Sequence, residues 1–338
     1  MMERFLDIDL TPYNSFGVPA RADRMVTFDS REELRELLAD GEILAGRWGV
    51  LSGGNNILFT QDFRGTLLHP VGKGIEVLSS DASRVRVRVQ AGLEWDDLVA
   101  WAVERGLWGL ENLSLIPGYV GAAPVQNIGA YGAEAKDTVE AVELLDTGTL
   151  APLTLAAAHC GFGYRESVFK GVLRGRAVIT AVVFSLGRVP RPSLGYGDLA
   201  RETAALGGPS LENIRRAVTA IRRRKLPDPK ETGNAGSFFK NPVVERSVAE
   251  RLKERYPDLP LYPAQDEAHC KLPAGWLIDR AGWKGHARPT VGVHGAQALV
   301  LVNRGGATGT EVLGLASDIR RDVEERFGVR IETEVNVW

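Results

Sequence analysis

Two cysteines, five histidines and three methionines are all that 338 residues supply of those types. Cys160 and Cys270 can close at most one bridge, so the chain is no disulfide scaffold, and a reducing compartment is the simpler expectation. Each follows a histidine (His159, His269), yet no CxxC or HxxxH spacing completes a four-ligand set, so no metal is expected. No apolar run reaches the ~18 residues of a spanning helix, and no membrane is expected as a partner. A net charge of −2 removes any global pull toward nucleic acid. The opening Met1-Met2-Glu3-Arg4-Phe5 lacks the basic-then-apolar signal-peptide pattern, which points to a cytoplasmic protein. A P-loop and a G-x-G-x-x-G fingerprint are also missing.

What is present is an ordinary globular composition, 44% hydrophobic and 25% charged, long enough for two or three domains. A strand over 26–28 precedes Ser30-Arg31-Glu32-Glu33, which reads as a capping box opening a helix to Leu38. The strand Trp48-Gly49-Val50-Leu51 runs into Ser52-Gly53-Gly54-Asn55-Asn56, followed by Ile57. Adjacent glycines there expose backbone N–H groups suited to a pyrophosphate, although a plain hairpin turn fits equally well. Arg84-Val85-Arg86-Val87-Arg88-Val89 alternates strictly, so one face is buried and the arginine face is solvated. A helix over 95–105 leads to 115–132, rich in Gly and Ala and poor in charge. Such a stretch lies against a large flat ligand or forms a close-packed interior turn. Strands over 139–145 and 177–186 bracket Gly161-Phe162-Gly163-Tyr164-Arg165, where the guanidinium can grip an anion or stack on a ring. A long loop over 190–197 surrounds Tyr196.

From Ser210 an amphipathic helix runs to Lys225 and is taken to open a second domain. The charges of Arg222-Arg223-Arg224-Lys225 fan around the helix end instead of forming a stripe, which argues against nucleic acid. Further helices are expected over 243–256, from 274, and over 310–327, with an apolar strand over 298–303. A terminal strand over 331–338 would put Glu332 and Glu334 on one face and Ile331, Val335 and Val337 on the other. Helices and strands alternate without a regular βαβ rhythm, which favours α+β. The stretch Gly233-Asn234-Ala235-Gly236-Ser237-Phe238-Phe239-Lys240-Asn241-Pro242 sets a serine between small residues and an apolar wall. That serine could be a nucleophile, a proton donor or an anion contact, or the stretch could be a Gly-rich turn before a strand.

Seven stretches in order over almost the whole chain resemble the UDP-N-acetylenolpyruvoylglucosamine reductase (MurB) family. They are Asn14-Ser15-Phe16-Gly17, the 52–56 loop, 116–132, Phe162-Gly163-Tyr164-Arg165, 233–242, Ala274-Gly275-Trp276-Leu277-Ile278-Asp279 and Glu332-Thr333-Glu334-Val335. The Tyr196 loop further resembles the subgroup whose long insertion closes over substrate. Ser15 stands where threonine is usual, Asn55 where serine is usual, and Tyr119 where a small hydroxyl residue is usual.

The resemblance implies an α+β protein: a two-subdomain FAD-binding module of the vanillyl-alcohol oxidase type over 1–209 (roughly 1–70 and 71–209), then a substrate domain over 210–338. Its C-terminal strand would return to the active site. FAD would be held without a covalent bond, since His69 and His159 lie outside the glycine motifs. Its contacts would be Ser52, Gly53, Gly54, Asn55, Asn56, Ile57, Gly118, Gln126, Asn127, Gly129, Ala130 and Tyr131. Arg165, Ser237 and Glu334 match catalytic positions, and Tyr164, Tyr196, Lys225, Asn241 and Gln297 match substrate contacts. The implied reaction reduces UDP-N-acetylglucosamine enolpyruvate with NADPH, in a protein expected to be a monomer. Another FAD oxidoreductase of the same fold, acting on an alcohol or sugar, and a non-catalytic nucleotide-binding module remain the alternatives.

Overall fold

The computed structural model describes residues 2–264 and 266–338. The chain folds as two compact units that interleave along the sequence. One comprises Met1–Ile8, Ala22–Gly53 and Arg64–Arg222; the other comprises Asp9–Arg21, Gly54–Phe63 and Arg223–Trp338.

In the first unit the order of a four-stranded sheet is Arg4–Asp9, Arg21–Phe28, Phe63–Pro70, Trp48–Val50. Helix Arg31–Leu38 covers it, with Leu34, Leu37 and Leu38 buried against Val26, Phe28 and Leu68. Ser30 Oγ accepts the Glu33 N–H at 3.1 Å, but Glu33 reaches back to the N–H of Asp29 instead of Ser30, so the expected box is half formed. An antiparallel five-stranded sheet runs Pro152–Ala156, Val139–Asp146, Ala177–Gly187, Arg84–Gln90, Ile75–Ser80. The alternation over Arg84–Gln90 holds: Val85, Val87 and Val89 are buried. The arginine face is less solvated than expected, because Arg86 and Arg88 reach Glu140 and Glu143. Helix Trp95–Glu104 packs on the valine face, and its Trp95 indole donates to the Leu113 carbonyl at 2.9 Å. Helix Leu211–Lys225 buries Ile214, Val218 and Ile221 beside Trp108 and Leu199.

The second unit is built on helix Gly309–Phe327, which buries Val312, Leu315, Ile319 and Val323. Thr308 and Glu311 form a complete capping box at its start, and Gly328 ends it in the left-handed conformation at φ +66°. Three sequence expectations are corrected here. Val243–Glu245 is a strand paired with His269–Lys271, and the helix begins only at Arg246. Of 298–303, only Leu301–Asn303 pairs with Val291–Val293. Of 331–338, only Asn336–Val337 forms a strand, parallel to Ile57–Leu58, and Val337 is exposed while Ile331 and Val335 are buried.

Candidate functional site

Ser237 lies on a short extended segment in the second unit, with neighbours on both sides. It bridges Val300; Phe239 bridges Thr333, and the N–H of Phe238 donates to the Leu299 carbonyl at 2.8 Å. Glu334 donates its N–H to the Phe238 carbonyl at 2.8 Å, and Lys240 donates its own to Glu332 at 2.9 Å. Ser237 and Glu334, both half-buried, therefore stand on adjacent segments although they are 97 positions apart in the chain. Phe238 and Phe239 are fully buried beneath and form the apolar wall. Lys240 Nζ stands 3.9 Å from the exposed Glu332 carboxylate.

Glycine is required at two points by neighbouring backbone. A Cβ on Gly233 would sit 2.1 Å from the Phe16 carbonyl oxygen, and one on Gly54 would sit 1.9 Å from that of Tyr13. The turn at 14–17 thus threads between the glycine loop and the serine segment. Ser15 donates its N–H to Gly54 at 3.1 Å and accepts from Asn234 at 2.9 Å. The Asn14 carboxamide closes this turn on itself through Leu10 and Val18. Asn56 donates to the Glu334 carbonyl at 3.3 Å and accepts from Asn336 at 3.0 Å, which fastens the loop to the C-terminal segment. Ile57 is buried beneath it and Asn55 is half-buried.

Asn241 Oδ1 accepts the N–H of Ala274 at 2.9 Å, capping helix Ala274–Arg280. Gln297 Oε1 lies 3.1 Å from where a Cβ on Gly275 would project, so both substrate-contact candidates converge on the start of that helix. Lys225 is exposed at the end of its own helix. A separate cavity of about 730 Å³ in this unit is lined by Phe16, Lys230, His294 and Arg304 among others, and by none of the candidate residues.

In the first unit Arg165 adopts φ +57°, unusual for a residue with a side chain. Its guanidinium donates to the carbonyls of Gly129 at 2.7 Å and Asn127 at 3.4 Å, and lies over the Tyr164 ring at 5.4 Å. The candidate arginine is thereby held against the 126–131 segment. Within that segment Asn127 and Tyr131 also have positive φ, +43° and +49°. Positive φ at three non-glycine residues in one neighbourhood is the kind of strain that clusters at working sites. The Asn127 carboxamide is wholly engaged, donating to Glu134 and to the Gly163 carbonyl and accepting from Lys136. The Tyr131 ring meets Tyr196 edge-on at 6.0 Å. Gly118, at φ +120°, accepts the N–H of Trp95 at 2.7 Å. Tyr119 packs against buried His69 with ring centres 6.0 Å apart.

Residues 228–338 match the sequence model of the C-terminal domain of UDP-N-acetylenolpyruvoylglucosamine reductase. The enzyme of that name from Flavobacterium johnsoniae is 43% identical over 99% of this chain and 100% of its own length. The chain belongs to the UDP-N-acetylenolpyruvoylglucosamine reductase family. Its relative in Pseudomonas aeruginosa is 48% identical, with 97% of each chain covered. A solved structure of the family, from Thermus caldophilus, aligns with TM-score 0.67 at 26% identity, covering 100% of this chain and 99% of that one. Residues 22–151 match the sequence model of an FAD binding domain.

The residues fit that cofactor at one telling atom. Ser52 Oγ, at the head of the glycine loop, is buried without a partner, a state that a ligand oxygen would relieve. Sequence reasoning missed two members of this part of the reductase fold. Arg222, read as one of four charges fanned around a helix end, is half-buried and donates to the Leu115 carbonyl at 3.1 Å. Burial pulls its pKa down, opposed by Tyr131 and Asp96 nearby. Asn112, read as part of no motif, is buried and donates to the Tyr131 carbonyl. Neither has a sequence signal beyond its neighbours, since each works through backbone carbonyls supplied by distant turns. Among the described residues no helix is long and apolar enough to cross a membrane.

Proposed function

We propose that this protein reduces UDP-N-acetylglucosamine enolpyruvate to UDP-N-acetylmuramate, with NADPH as reductant and non-covalent FAD as cofactor, in the cytoplasm and as a monomer. Bound FAD supplies the hydride chemistry. Ser52, Gly53, Gly54, Asn55 and Asn56 would hold its pyrophosphate through backbone N–H groups, and 118–131 would lie along its ring. The module over 1–209 would carry the cofactor and the Tyr196 loop of the insertion subgroup, and 210–338 would carry the substrate.

Once hydride reaches the terminal carbon of the vinyl ether, negative charge develops on the adjacent carbon and spreads into the carboxylate. Such a dianion is unfavourable in a dry site without fixed donors. Arg165 meets that need with a planar cationic fork that the Gly129 and Asn127 carbonyls orient. Ser237 delivers the proton that completes the product. A serine hydroxyl is a weak acid, so its alkoxide must be stabilised, and Lys240 on the same segment is the cation available. Glu334 either carries a proton to the site or orients a water beside Ser237. Lys225 offers a point charge to the diphosphate, while Asn241 and Gln297 offer amides, and Tyr164 and Tyr196 offer phenols.

The observation that carries this reading is the pairing of the Ser237 segment with the Glu334 segment through the Phe238 carbonyl, in a chain of this family. The test is NADPH oxidation by the purified yellow protein with and without the enolpyruvyl sugar nucleotide. Stoichiometric, substrate-dependent oxidation is expected; oxidation indifferent to the sugar nucleotide would contradict the reading.

A further inference from the structure

The Tyr196 loop ranks among the more exposed parts of the first unit, and Tyr196 itself is 57% exposed. Its backbone is nevertheless held from beneath. Asn112 Nδ2 donates at 2.8 Å to the carbonyl of Ser193, on the loop, and at 2.8 Å to the carbonyl of Tyr131, the residue whose ring meets Tyr196. One carboxamide thus joins two carbonyls 62 positions apart, by their numbers. The rest of the loop's seat is shaped to match. Gly132, at φ +79°, lies directly beneath the loop, since a Cβ there would make ordinary contact with Ser193 Oγ and Tyr196 Cβ at 3.6 Å.

Asn112 makes this link at a cost. It is 2% exposed, and its Oδ1 is buried with no partner. A core selected for stability alone would not keep an orphaned acceptor there. Nor can the residue shift to satisfy it. Its turn, Glu111–Leu113, is pinned on every side: Glu111 accepts the Gly109 N–H at 2.7 Å, Ser114 Oγ donates to the Glu111 carbonyl at 2.6 Å, and the Trp95 indole holds the Leu113 carbonyl.

We propose that Asn112 is a positioning residue that latches the Tyr196 loop over the Tyr131 turn and so sets the affinity for the sugar nucleotide without touching it. The proposal rests on the functional reading above for its substrate, but the latch has a readout of its own. In the FAD-loaded protein, Asn112→Asp keeps the size of the side chain and turns both donors into an acceptor facing two carbonyl oxygens. Chymotryptic cleavage after Tyr196 should quicken by about tenfold, the scale of roughly one lost net hydrogen bond, while amide hydrogen exchange in strand Ala177–Gly187 stays as it was. KM for the enolpyruvyl sugar nucleotide should rise about tenfold with kcat within about twofold. Asn112→Ala, which adds no charge, is read in the same way should the Asp variant not fold. Unchanged cleavage after Tyr196, quickened exchange in Ala177–Gly187, or failure of both variants to fold would overturn the latch. A wild-type protein that ignores the sugar nucleotide would overturn the functional reading alone, leaving the cleavage result to decide the latch.

Discussion

Glu334 gives its backbone N–H to the carbonyl of Phe238, 2.8 Å away, and through that one bond a residue near the C-terminus is placed beside the serine segment. Asn56 takes hold of the Glu334 carbonyl from the other side at 3.3 Å. The backbone of Glu334 is thus held on both sides, which fixes where its side chain starts beside the serine segment.

Ser237→Ala should leave FAD reduction by NADPH near its wild-type rate and slow the second half-reaction by ~10²-fold or more, the lower range for loss of a general acid. Stopped-flow traces of the two halves check this. If both fell together, Ser237 would be a structural residue of its segment.

Arg165→Lys should be far from conservative. Lysine keeps the charge but cannot bond the Gly129 carbonyl and present a planar fork to substrate at once. A fall in kcat/KM of at least ~10-fold is expected, toward the range for losing one fixed donor. A weaker flavin signal in the variant would reveal the accompanying loosening of the 126–131 segment.

Trp338→Ala should act on Glu334 from a distance. The Trp338 ring packs against Phe63 at 5.2 Å and Phe59 at 5.8 Å, and its carbonyl accepts both the N–H and the hydroxyl of Thr60 at 2.8 Å. Losing a half-buried indole from that corner should cost about 2 kcal/mol, below the ~3–5 kcal/mol of a fully buried one. Denaturant titration measures the loss, and the second half-reaction should slow with it.

His69 gives the protein an acid-side sensitivity unrelated to catalysis. Burial holds its pKa below the usual 6.5, and Nδ1 lies 2.7 Å from the Leu51 carbonyl. The native state therefore binds this proton less readily than the unfolded chain. Its contribution is intact above the unfolded pKa of ~6.5 and is lost as pH falls through the lower folded value. Unfolding free energies measured across that window should decline less steeply with acidification in His69→Gln than in wild type.

Much of the fold was legible because amphipathic period survives folding. The helices from Ser30, Trp95, Ser210 and near Thr310, and the alternating valines at 85, 87 and 89, all stand where their spacing put them. Legibility failed where an apolar stretch is shared between partners. Ala298-Leu299-Val300 pairs with the serine segment by single bridges while Leu301–Asn303 forms the hairpin, and no local pattern separates the two halves. The C-terminal segment failed likewise, since its neighbours change from Phe238 and Phe239 to Ile57 and Leu58 within five residues, by their numbers. Of the candidate residues, Ser237 and Arg165 were readable from the small and aromatic residues around them. Asn112 and Arg222 were not, because their hydrogen bonds go to carbonyls that only the folded chain brings within reach.

The central claim is that the reduced protein passes its hydride to a vinyl ether, and anaerobic mixing of pre-reduced protein with UDP-N-acetylglucosamine enolpyruvate tests it most directly. Oxidised-flavin absorbance should return in one turnover, with UDP-N-acetylmuramate formed in equal amount. A flavin that stays reduced while the sugar nucleotide is recovered unchanged would contradict the account.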